Sequence, residues 1–145
     1  MSWIDKPWGK TRAAHRSPMC HVDEIEAVAG GYCSIHNHAA KANVFHVVSG
    51  LLYVRQFTGQ GDRLKCASLA AGQSLVVPSG VWHQFWSRLH TTAVEVYLPT
   101  AGICEHDDID RHPGLSIGGV ETDYVAMEAL WSRAFGGCAH ACNCE

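Results

Sequence analysis

The sequence predicts an all-β domain, a sandwich or closed barrel of short strands, finished by a single C-terminal helix. Three observations carry that prediction. About eight short β-like runs recur at regular spacing through the first hundred residues, separated by glycine-rich turn signals. Helical periodicity is concentrated in one stretch after residue 121. At 145 residues and 47% hydrophobic, the chain is long and apolar enough for one domain with its own core.

Taken in order, residues 22–28 (VDEIEAV) alternate in part, and residues 32–36 follow a Gly30-Gly31 turn. Residues 43–49 (NVFHVVS) and 51–57 (LLYVRQF) flank Gly50, the pattern of two strands paired across a tight turn. Residues 58–62 (TGQGD) read as a second turn, and runs at 64–69, 73–77, 82–87 and 92–98 complete the series. Beyond Pro99, residues 100–121 are rich in Gly, Asp and His and are broken by Pro113-Gly114 and Gly118-Gly119, as in a covering loop. Thr122 is placed to cap a helix over about 123–135 that carries Tyr124, Met127, Trp131 and Phe135 on one face. Gly136-Gly137 stops it. The organisation expected is therefore a barrel with its N-terminal segment and covering loop (1–121), a helix packed on the barrel or a partner (122–137) and a cysteine-rich tail (138–145).

Charge and cysteine usage narrow the function classes. A formal net charge of −3 provides no electrostatic footprint for nucleic acid or an anionic membrane. No run approaches the ~20 apolar residues of a membrane span, and the opening MSWIDKPWGK is not a secretory leader. Seven cysteines, four scattered and three crowded into the tail, suit a reducing cytoplasm better than a disulfide framework. Charged residues are only 17% of the chain, against ~25% usually. So sparse a charged surface, with the amphipathic helix, points to a homodimer.

The chemistry concentrates on histidines. His36 and His38 are two apart, so on a strand both project to the same side. His83, in a PSGVWH segment on a later run, is the candidate to complete a face of nitrogen ligands. Imidazole suits Fe, Mn, Ni, Cu and Zn alike, so one divalent transition metal is expected without its identity. Alone, any one of these histidines would read as a hydrogen-bonded core or surface residue; the paired spacing is what favours a metal.

The two segments resemble the paired motifs of the cupin superfamily, G-x5-H-x-H-x4-E-x6-G and G-x5-P-x-G-x2-H-x3-N. Gly30, His36, His38, Gly50, Gly72, Pro78, Gly80 and His83 fall in register with them. The resemblance implies a jelly-roll barrel with a metal on His36, His38 and His83. It also makes Asn43, which stands where the family has a glutamate ligand, a candidate fourth ligand through its amide oxygen. Ser87 replaces the closing asparagine. Three neutral imidazoles without the carboxylate leave a dication more Lewis-acidic, with more open positions; thiol dioxygenases are similar in this respect. The bland reading of Asn43 is a degraded site that binds metal weakly.

A longer resemblance, over residues 6–111, is to the cupin domain of type II mannose-6-phosphate isomerases. It rests on Lys6-Pro7-Trp8-Gly9, Val47-Val48-Ser49-Gly50, the VPSGVWH stretch at 77–83, Glu95-Val96 and EHDDIDR at 105–111. It implies a sugar or sugar-phosphate ligand, although that family too carries glutamate at the Asn43 position.

Strand alternation assigns the neighbours. If Asn43 faces the metal, Phe45 lines the cavity and His46 points away. Glu95 and Tyr97 share a face; inside a cavity Glu95 is a candidate general base and Tyr97 a substrate contact, and on an outer face Glu95 is only a solvated acid. Tyr53 and Arg55 share a face that either binds an anionic substrate or is simply solvated. Trp82 and Trp86 straddle His83, for stacking on a sugar or for core packing. The tail's Cys138, His140, Cys142 and Cys144 lack the usual structural-zinc spacing and read as an exposed tail with reactive thiols.

Together these readings favour a metal-dependent enzyme on a small polar substrate, an isomerase or epimerase with Glu95 moving protons. A three-histidine Fe(II) dioxygenase and a non-catalytic, metal-containing carbohydrate-binding module are the alternatives.

Overall fold

The computed structural model describes residues 1–57, 65–105 and 107–134. They form two packed antiparallel sheets and one helix, the expected all-β jelly roll. The first sheet runs in the order β1 (Ile4–Lys6), β2 (Gly9–Ser17), β3 (Cys20–Ala27), β11 (Thr91–Pro99), β6 (Lys41–Ser49) and β9 (Ser74–Val77). In the second, β7 (Leu51–Phe57) pairs with β8 (Lys65–Ala70) on one side and β10 (Trp82–Ser87) on the other. The free edge of β10 takes two short strands end to end, β4 (Gly31–Tyr32) opposite Trp86 and β5 (His36–Asn37) opposite His83. These are extended by β13 (Gly119–Val120) and β12 (Asp110–Arg111) respectively.

Inward positions of the alternating strands fill the space between the sheets. Ile25 and Ala27 of β3, Phe45 and Val47 of β6, Leu52 and Val54 of β7, Val77 of β9 and Phe85 of β10 form one core, closed at one end by Trp8 edge-on to Phe85. Gly50 makes the tight β6–β7 turn at φ +93°, where a Cβ would run into the His90 carbonyl and Thr91.

Several expectations need correction. The N-terminal stretch, read as a plain segment, is a strand pair whose β2 runs the length of β3. The run at 32–36 is not one strand, because the chain breaks between β4 and β5 and meets β10 twice. Residues 58–62 and Leu64 lie outside the described residues. Helix α1 spans Tyr124–Ala134 and is capped by Asp123, not Thr122: the Asp123 carboxylate accepts from the Ala126 amide at 2.8 Å. Its Met127 and Trp131 are buried as the stripe predicted; Phe135 and the tail's Cys138, His140, Cys142 and Cys144 lie outside the described residues. Cys20, Cys33 and Cys104 are free thiols, whereas Cys66 is disulfide-bonded, a bridge that the reading of the cysteines as suiting a reducing cytoplasm better than a disulfide framework did not foresee. Among the described residues no helix is long and apolar enough to cross a membrane.

Candidate metal centre

The site forms between the two sheets, from β5 and β10 of the second and β6 and β11 of the first. β10 carries His83 inward, between the core residues Val81 and Phe85. β5 is held against it with His36 directly opposite His83, and His38 follows just past the end of β5. All three rings are buried, and their ligating nitrogens lie within 4.8 Å of one another. Ring centroids are 4.4 Å apart for His36–His83 and 5.1 Å for His36–His38.

Every ring is oriented from behind. The His36 Nδ1–H donates to the Ser34 carbonyl at 2.9 Å, that of His83 to the Val81 carbonyl at 3.0 Å, and that of His38 to the Asp108 carbonyl. Carbonyls only accept, so each Nδ1 carries the proton and each Nε2 keeps its lone pair for the centre. The Nε2 of His38 is buried without a hydrogen-bond partner. An orphaned acceptor among three convergent imidazoles is the arrangement a bound cation satisfies, so the residues fit a divalent transition metal. Burial, then repulsion from His83 and His38, holds His36 well below the ordinary histidine range. Burial likewise lowers His38 and takes His83 down to about 4. Neutral imidazoles are the ligating form.

Asn43 sits beside the triad but faces it with the amide nitrogen. Its Nδ2 donates to Glu95 Oε1 at 3.1 Å and lies 3.4 Å from His83 Nε2. The structure thus pairs the Asn43 amide nitrogen with Glu95, while the Asn43 Oδ1 is buried without a hydrogen-bond partner. Glu95, on β11 opposite Phe45, points inward and is buried. Its second oxygen accepts from the Tyr97 hydroxyl at 3.0 Å. Burial outweighs both donors and raises the carboxyl to about 7. Tyr97 is raised in turn, by burial and then by the Glu95 charge.

A cavity of about 570 Å³ opens over the centre, with His36, His38, Glu95, Tyr97, Lys41 and Arg111 among its walls. Other expected substrate contacts lie elsewhere. Phe45 packs in the core with its ring 6.2 Å from His83, supporting the ring without lining the cavity. Tyr53, Arg55 and Trp82 are on the opposite face of the second sheet, because β7 and β10 turn their alternate residues outward. There the Tyr53 ring lies tilted against Trp86 at 5.5 Å, Trp82 meets His112 at 5.2 Å, and Arg55 forms an ion pair with Glu128 of α1. The anionic-substrate reading of Tyr53 and Arg55 is therefore replaced by a structural one: they help seat the helix. His46 does point away from the centre, bonded to Ser74 Oγ at 2.7 Å.

Sequence reasoning missed four contributors: Ser34, Lys41, Asp108 and Arg111. Asp108 belongs to the covering loop, yet its carbonyl orients His38 and its carboxylate accepts from the amides of Ala39 and Ala40 at 3.0 and 2.8 Å. Lys41 was within reach, since the alternation that turns Asn43, Phe45 and Val47 inward does the same to a residue two positions earlier.

Comparison with known proteins agrees with this architecture. KdgF from a Halomonas species superposes with a TM-score of 0.59 at 18% identity, over 68% of this chain and 88% of that one. Oxalate decarboxylase from Bacillus subtilis gives 0.66 at 15% identity over 93% of this chain, which spans only 34% of that longer protein. The nucleoside dehydratase Pac13, from Streptomyces, gives 0.60 at 12% identity over 76% of this chain and 82% of that one. No curated protein matches by sequence. The family model described as Cupin matches residues 23–100, more than half the sequence and the part that carries all three histidines, and the chain belongs to the cupin family.

Proposed function

We propose that the protein is a metal-dependent enzyme that moves a proton on a small polar substrate, a sugar or sugar phosphate, in an isomerase- or epimerase-like reaction. The observation that carries this reading is Glu95, a buried carboxylate in the same cavity as the triad, raised to about 7. A carboxyl near neutrality both takes and returns a proton at working pH. A divalent metal on His36, His38 and His83 would supply Lewis-acid polarisation of a substrate carbonyl or hydroxyl. Tyr97 and Asn43 hold the two Glu95 oxygens in place, and Tyr97 lines the same cavity. The resemblance to type II mannose-6-phosphate isomerases supports the substrate class.

The test follows loss of the C2 proton of mannose 6-phosphate in D2O by NMR, with protein loaded with Mn, Fe, Ni, Cu or Zn in turn. Exchange is expected, reduced about 10²-fold or more in Glu95→Gln with metal content unchanged. Exchange that survives Glu95→Gln overturns the base assignment. One observation favours a second reading: the clustered ligating groups are all imidazole, with no carboxylate among them. Oxygen uptake by the Fe(II)-loaded protein with a thiol, and no exchange on any sugar, would select a dioxygenase. Metal retention without turnover of either kind would select a binding module.

We also propose a homodimer that covers the outer face of the first sheet, where Val48, Val76 and Leu98 are exposed. Sedimentation of the wild type as a dimer and of Val76→Lys as a monomer is expected; a monomeric wild type refutes it.

A further inference from the structure

Lys41 is the cavity's least expected residue. Only 4% exposed, it projects from the start of β6 into the same cavity as His36, His38, Glu95 and Tyr97. Its Nζ donates to the Glu105 carbonyl at 2.7 Å and lies 4.9 Å from the centre of the Tyr97 ring. No carboxylate among the described residues lies within ion-pair distance of it. A buried ammonium is costly unless something anionic compensates it, and a carbonyl dipole with an aromatic face does so only in part.

The remaining charges of the cavity do not supply that compensation. Arg16 and Asp23 form their own ion pair on its wall. Glu95 has both oxygens engaged by Asn43 and Tyr97. Asp107 is exposed, while Arg111, set opposite His36 on β12, and Lys6 add further positive charge. With Arg16 and Asp23 neutralising each other, Lys6, Lys41 and Arg111 outnumber Glu95 and Asp107 even before a metal contributes two more positive charges.

We infer that the substrate carries a small oxyanion, a carboxylate or a phosphate, anchored on the Lys41 ammonium beside the histidine centre with Arg111 as a second cation at the mouth. The inference deepens the proposed enzyme reading by naming the group its substrate must bear, and it rests on that reading for the metal. Both oxyanions accept the same ammonium and guanidinium donors. The three donors of Lys41 have one acceptor in place, which leaves two for the ligand.

Calorimetry on the cobalt-loaded protein tests it, with malonate, inorganic phosphate and glucose as probes and cobalt content measured in parallel. Malonate or phosphate is expected to bind the wild type and glucose to bind far more weakly; the tighter anion identifies the source. Lys41→Met should weaken that anion about ten- to hundred-fold while retaining cobalt, and Lys41→Arg should stay within about three-fold of the wild type by keeping the charge. Should Lys41→Met fail to fold, the exposed Arg111→Gln serves, with an expected loss of about two- to five-fold. Anion affinity unchanged in Lys41→Met, or in Arg111→Gln where it must stand in, overturns the assignment. So does glucose binding as tightly as either anion, or neither anion binding the wild type. A wild type that takes up no cobalt refutes the metal reading instead, and the same titrations on that metal-free protein still decide the role of Lys41.

Discussion

Glu95→Gln in the metal-free protein exposes what the cavity does to a carboxylate. In the fold the carboxyl sits at about 7 against an ordinary 4.5, because burial penalises the charged form more than Asn43 and Tyr97 favour it. A raised carboxyl binds its proton more tightly in the folded state than in the unfolded one. Its contribution to stability is therefore fully present below about 4.5 and lost as pH climbs through 7. The span from 4.5 to about 7, at 1.36 kcal/mol per unit, corresponds to about 3 kcal/mol. Glutamine cannot ionise and does not suffer this loss. The stability of Glu95→Gln relative to the wild type should thus improve by about 3 kcal/mol between pH 4 and pH 8, whatever fixed offset the substitution itself adds. The buried histidines titrate in both proteins and cancel in the difference. Urea unfolding at half-unit pH steps reads it directly: with a slope of roughly 1–3 kcal/mol per molar, the midpoint difference changes by at least about 1 M. A difference flat with pH would refute the claim that the cavity desolvates Glu95, and with it the rationale for this residue as a proton carrier.

Other consequences are independent of this one. His36→Ala should lose the bound metal while His46→Ala keeps one equivalent, because only the former belongs to the convergent triad; elemental analysis of untagged protein decides. Asp108→Ala should weaken metal binding about ten-fold or more, since its carboxylate ties the backbone at Ala39 and Ala40 to the loop that orients His38; competition with a chromogenic chelator measures it, and unchanged affinity refutes the positioning role. Trp131→Ala empties the fully buried seat of α1 next to Arg55 and should cost about 3–5 kcal/mol in urea unfolding; a cost below about 1 kcal/mol would mean the helix contributes little to the fold.

Particular residues show why some features were legible in the chain and others were not. His36 and His38, with spacing two, and His83, behind its proline–glycine turn, reveal a shared centre because strand geometry is short-range: parity alone decides which side a residue faces. The same parity places Glu95 and Tyr97 together, and Met127 with Trp131 on α1 follows from helical period. What parity cannot say is which side of a sheet faces which neighbour. Tyr53, Arg55 and Trp82 share faces as alternation requires, but those faces lie under α1 and the covering loop, a fact set by how the helix packs back across β7 and β10. The strand pair β1–β2 was illegible because its residues are exposed or half-exposed at the edge of the first sheet and lack an apolar alternation. Asn43 is undecided in sequence because an amide offers oxygen or nitrogen equally; the donor it turns inward is fixed by Glu95 across the β6–β11 ladder. Asp108 and Arg111 meet the histidines only because the described part of the covering loop folds back to them, with Asp108 bonded to His38 and Arg111 paired with His36. By itself the sequence determined most of the strand pattern and the three metal-ligating candidates through local spacing, and the family through its resemblance to the paired cupin motifs. The cavity's charge, the environment of Glu95 and the solvation of Lys41 were decided by tertiary structure alone, because burial is a property of everything packed around a group and not of its place in the chain.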